Sequence, residues 1–167
     1  VVPPRDAMEA RIDGEISDYF EWLDSGRVDI LSYGGAMNIA NPLVKTLFFG
    51  FSSDHIFLRI DTKKNARTYF ENGFSLRLLL QNGPERWQVD ITTGGRWPAP
   101  EDLPAGSHGA VGRIIEVKVP FTALKISAGG EFLLQMHWSF NGQPFQTIPA
   151  GAPLTLQVSG AKDYAAY

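Results

Sequence analysis

Cysteine is absent from the 167 residues, which excludes disulfides and thiolate chemistry and leaves the cellular compartment open. No apolar run approaches the roughly 18 residues a membrane helix needs, so no membrane partner is expected. No signal-peptide pattern is present either, and the cytoplasm is the favoured location. Basic excess is missing: the formal charge is −3, which gives no electrostatic ground for a nucleic-acid partner. No Gly-x-Ser-x-Gly elbow, phosphate loop, internal repeat or low-complexity tract occurs. What remains is ordinary for a soluble globular domain, with 44% hydrophobic and 20% charged residues. The length suits one domain whose core needs no covalent staples. The chain begins Val1-Val2-Pro3-Pro4, which reads as a segment of a longer polypeptide or as a processed terminus. The expected organisation is an arm or linker over 1–10, a sandwich domain over 11–159 and a tail over 160–167.

Strand patterning fills most of the chain. Leu47, Phe49 and Phe51 alternate with Thr46, Phe48 and Gly50, and after Ser52-Ser53-Asp54 the residues Ile56, Leu58 and Ile60 alternate with Phe57, Arg59 and Asp61. Two period-2 runs across a short polar turn predict a hairpin. A second hairpin is predicted from Phe74–Gln81 and Glu85–Thr92 around Asn82-Gly83-Pro84. Further strands are expected over Arg113–Val119, Glu131–Phe140, Pro144–Ile148 and Leu154–Val158. The fold class is therefore all-β, an antiparallel β-sandwich of jelly-roll or immunoglobulin type. Helix is scarce: Ile16–Leu23 carries apolar residues at helical spacing, with Asp13 or Ser17 as caps, and predicts one short N-terminal helix. Phe121–Lys125 suits a single turn. The loosest stretch, Thr93–Gly109, is rich in glycine and proline and too long for a hairpin connection.

Candidate site residues are few. Trp138 and Trp87 alternate with apolar neighbours and are expected in the core, and Trp22 is expected to cap one end of the sandwich. Trp97 lies between Arg96 and Pro98 in the long loop, where it either packs on a sheet or offers a rigid ring to a ligand. Arg59, Arg77, Gln88 and Asp90 fall on outward strand positions and read either as a solvated face or as the polar floor of a groove. Asp13, Glu15 and Asp18 have oxygen ligands but lack the spacing of a calcium loop, and a turn with a helix cap explains them as well. His55, His108 and His137 show no zinc spacing. Glycoside hydrolysis needs two carboxylates flanking one bond, and most of the 18 acids sit in turns or on strand exteriors. No catalytic residue, metal or cofactor is expected.

Arg11–Gly26 (RIDGEISDYFEWLDSG), the GGAMN segment at 34–38 and LFFGFSSDHIFLRID at 47–61 together resemble the domain carboxyl-terminal to the catalytic barrel in amylase- and pullulanase-like proteins of glycoside hydrolase family 57. GRIIEVKVPFTAL at 112–124 is similar to that domain's strand leading into a short turn, and Glu131–Val158 to its closing strand pair. More distantly, the order of elements resembles family 9 carbohydrate-binding modules and the wider group of sandwich domains that bind sugars or haem. A haem would need an axial pair such as Met37 with His137, which no sequence feature brings together. In family 9 modules a sugar sits between two tryptophans beside a carboxylate. Those positions fall here at Phe70, with Tyr69 and Glu71 beside it, and near Phe145, so phenylalanine stands where that family has tryptophan. The resemblance implies a non-catalytic accessory domain of a glucan-acting hydrolase. Its expected partners are an α-glucan or oligosaccharide and the catalytic domain of the parent chain. Phe70, Glu71, Phe145, Trp97 and Arg77 are the expected carbohydrate contacts. The alternative is a structural module that packs against the catalytic domain or a partner subunit without binding sugar.

Overall fold

A computed structural model describes residues 1–16, 19–30 and 41–159 of the chain. The GGAMN segment, Ser17, Asp18, Met37 and the tail over 160–167 lie outside the described residues. In chain order the strands are β1 (Gly26–Asp29), β2 (Val44–Phe51), β3 (His55–Thr62), β4 (Phe74–Asn82), β5 (Glu85–Ile91), β6 (His108–Val111), β7 (Ile115–Pro120), β8 (Glu131–Phe140), β9 (Gln143–Ile148) and β10 (Leu154–Gln157). They form two antiparallel sheets, β1-β2-β3-β7-β6 and β10-β8-β4-β5, with β9 beside the second half of β8.

Period-2 alternation decides what each sheet buries. Leu47, Phe49, Ile56, Leu58, Ile60, Val117 and Val119 face inward from the first sheet. Leu76, Leu78, Leu80, Trp87, Val89, Leu134, Met136 and Trp138 meet them from the second. Each such side chain contributes roughly 1.5–3 kcal/mol relative to exposure, so the antiparallel sandwich is the arrangement the pattern demands. Trp87 and Trp138 belong to this core as expected. The N-terminal helix is a 3-10 turn at Tyr19–Trp22. The α-helix, α1, lies instead at Ala66–Glu71, capped by the Asn65 side chain, which accepts from Arg67 N at 3.1 Å. Alternation had hidden it: α1 is too short for a helical period to stand out between two strands. The long loop likewise contributes an edge strand, β6, and a 3-10 turn at Pro100–Asp102.

The outer faces of the two sheets differ. Residues 2–16 run as a strap over the first sheet, with Met8 N donating to Phe51 O at 3.0 Å and Val2 bridging Arg27. Met8, Trp22 and Phe57 form a small second apolar cluster beneath the strap. Glu116, hydrogen-bonded to Trp22 of this cluster, is fully buried. Its Oε1 accepts from Gly14 N at 2.8 Å and Asp13 N at 3.2 Å, and its Oε2 from Trp22 Nε1 at 3.1 Å. Burial, and then a hydrogen bond with the Asp13 side chain, pushes the Glu116 carboxyl up to about 7 despite these donors. With its first sheet covered, the domain presents the open outer face of the second.

Candidate functional site

Strand register assembles a polar row across that open face. Arg77 on β4 stands opposite Asp90 on β5 and, on its other side, opposite His137 on β8, which in turn faces Thr147 on β9. Four strands thus place Asp90, Arg77, His137 and Thr147 side by side, as the outward set of an alternating sheet must. A neighbouring row joins Ser75, Ser139 and Pro144, and Arg86 and Gln88 continue the outward side of β5. These residues line a depression of about 500 Å³, within the usual size of a small-ligand site.

Arg77 is held as a planar donor. Its Nε donates to Asp90 Oδ1 at 2.8 Å and its Nη2 to Oδ2 at 3.3 Å, which leaves Nη1 for a ligand. Asp90 holds the guanidinium above the ordinary arginine value. His137 is shifted the other way: burial first, and then the Arg77 charge, lower it below the usual histidine range, so it is neutral at neutral pH. Its Nδ1 lies 3.4 Å from Thr147 Oγ1. Arg86 is exposed and makes no ion pair among the described residues.

The same sheet carries an aromatic edge outside the groove lining. The β8–β9 turn is Asn141-Gly142 with φ of 49° and 81°, the left-handed pair that a two-residue hairpin needs and that asparagine and glycine supply. The turn sets Phe140 and Phe145 beside Phe74, with Phe74–Phe140 ring centroids 4.8 Å apart and Phe74–Phe145 5.3 Å apart. Phe145 is 50% exposed and immediately follows Pro144 of the groove lining.

The structure brings only part of the expected site together. Arg77, Gln88 and Asp90 meet in the groove; Phe145 is not in its lining and packs instead on Phe74, which shares its side of β4 with the core residues Leu76 and Leu78. Phe70 does not offer a stacking face: it is 0% exposed and packs on Trp138 at 5.6 Å. The reason is the unforeseen helix, whose Ala66 and Phe70, four apart, share its inward side. Glu71 is exposed at the end of α1 and lies outside the groove lining. Trp97 is half-buried, with its ring over Gly109, the packing alternative rather than a free ring. Arg59 belongs to the opposite sheet, paired with Asp61 at 2.7 Å and stacked over Phe48. Ser75, Arg86, Ser139 and Thr147 were not nominated, although each occupies an outward position of a strand that alternation had located. Asp13 acts in the strap, where its Oδ1 accepts from Glu15 N at 2.9 Å. No three potential metal ligands cluster among the described residues.

No protein-family model matches the chain. No curated protein matches it either. Among solved structures it is similar to a family 9 carbohydrate-binding module from Caldicellulosiruptor kristjanssonii in complex with cellotriose. The TM-score is 0.53 at 10% sequence identity, over 92% of this chain and 91% of that one. At that identity the likeness is one of fold, and the fold is the two-sheet sandwich of this family of modules.

Proposed function

We propose that the domain is a non-catalytic carbohydrate-binding module that holds an oligosaccharide in the outer groove of the second sheet. The observation that carries this reading is the cross-strand row Asp90–Arg77–His137–Thr147: planar and hydroxyl groups fixed by sheet register, in a depression wide enough for a sugar ring. Saccharide recognition needs such fixed polar groups to orient hydroxyls, and the groove draws them from four strands. The cellotriose held by the structural neighbour supports the same assignment. The sequence resemblance to domains that follow the catalytic barrel in family 57 hydrolases supports the finer reading, an accessory domain of a glucan-acting enzyme.

Isothermal titration with cello- and malto-oligosaccharides tests the proposal. Saturable heat at millimolar ligand, weakened about tenfold or more in Arg77→Ala, is the expected result; a flat titration with both series rejects a glucan ligand. A second reading, docking against the catalytic domain, is favoured by the exposed Phe140 and Phe145 beside Phe74. Phe140→Ser would then release the domain from its parent enzyme without altering sugar titration.

A further inference from the structure

The charges of the groove say more about the ligand than its shape does. Arg77 and Asp90 neutralise each other through two hydrogen bonds. His137, depressed by burial and by Arg77, carries no charge at neutral pH. Arg86 is left over, an exposed guanidinium in the groove lining with no carboxylate partner among the described residues. The groove is therefore net positive on a chain whose formal charge is −3. Its floor offers no open tryptophan ring, since Trp138, the one tryptophan in the lining, is 1% exposed, which leaves discrimination to the polar and charged groups.

We infer that the groove selects an acidic saccharide, one bearing a carboxylate that the Arg86 guanidinium receives while the Arg77–Asp90 row and the groove hydroxyls hold the ring. A guanidinium matches a carboxylate with two parallel N–H donors, which a neutral hydroxyl cannot use. Arg86 stands opposite Gln81, four residues along β4 from Arg77. Along a strand that is roughly 13 Å, about the span of two to three sugar units, so ring and acid are held by separate groups. This inference rests on the groove being the sugar site and concerns only which sugars it takes.

The experiment compares trisaccharides of glucose and of glucuronic acid that share one linkage, in the α- and β-linked series, by isothermal titration of the whole chain. Wild type is expected to bind the glucuronate trimer about tenfold or more tightly than the neutral one, with the advantage shrinking at high ionic strength. Arg86→Gln should abolish the advantage and Arg86→Lys should retain part of it, with far-UV circular dichroism establishing that both fold. Lys45, Lys63, Lys64 and Arg113 line a second, smaller cleft on the other sheet, so Lys63→Gln is included and should leave the preference intact. Equal affinity for both trimers, or a preference unmoved by Arg86→Gln, overturns the inference and leaves the groove reading standing. Binding of neither trimer overturns both.

Discussion

The strap over the first sheet is held by a carboxyl whose ionisation folding opposes, and this makes a quantitative prediction. Glu116 titrates at about 7 in the folded chain against an ordinary 4.5, because it is fully buried and shares a hydrogen bond with the Asp13 side chain. A carboxyl raised on folding binds its proton more tightly in the native state, so stability falls as pH rises between the two values. The contribution is fully present below 4.5 and is lost as pH climbs through about 7. At about 1.36 kcal/mol per pH unit, the interval corresponds to roughly 3 kcal/mol. Burial leaves little solvent screening to reduce it. Glu116→Gln removes the proton but keeps the shape. Its amide oxygen still accepts from Gly14 N, while its amide nitrogen meets Trp22 Nε1, two donors face to face, at a cost of about 1 kcal/mol. Urea denaturation at several pH values between about 4 and 8 checks this. Near pH 4 the variant should be the weaker protein, and near pH 8 wild type should be the weaker by about 2 kcal/mol, the two curves crossing near pH 5. Titrating groups other than Asp13, which shares a hydrogen bond with Glu116, are common to both proteins and cancel in the difference. Parallel curves would refute the reasoning, and would mean that the strap opens to solvate the carboxylate without cost to the rest of the fold.

Three more outcomes are expected. Phe70→Ala empties a core position against Trp138 and should cost about 3–5 kcal/mol, lowering Tm by roughly 10 °C, whereas an exposed stacking ring would leave Tm unchanged. Gly109→Ala places a methyl group inside the Trp97 ring, so the ring must shift; calorimetry should record a loss of about 1–3 kcal/mol and Trp97 should become more quenchable, and an unchanged Tm would show that the loop is loosely packed. Phe145→Ala, at a half-exposed site packed on Phe74 and outside the groove lining, should change stability by less than about 1 kcal/mol and leave oligosaccharide binding in titration unaltered; weakened affinity would bring Phe145 into the site.

Much of the architecture was legible because it follows from local alternation. Glu131–Phe140 is the strand that the pattern of Phe132, Leu134, Met136 and Trp138 predicts, and the hairpin around Gly83 falls where its turn residues stand. The elements that escaped were those whose formation depends on neighbours. α1 has fewer than two turns and owes its place to Asn65 at one end and to the core that receives Phe70 at the other. β6 exists because the edge of β7 offers it hydrogen bonds. Glu116 did carry a signal, a lone acid in the apolar run Ile114–Pro120, but an acid on a strand reads as outward until a strap is known to cover it.

The sequence by itself determined that two alternating sheets would bury their apolar faces, because side-chain period and hydrophobic burial need no distant partner to take effect. Which outer face remained open, and which residues met there, only the tertiary structure decided. Asp90, Arg77, His137 and Thr147 are drawn from four strands spanning 77–147, and they are neighbours solely through register. Phe70 went inward for the same reason: a ring's exposure is settled by what packs over it, and no local pattern contains that information.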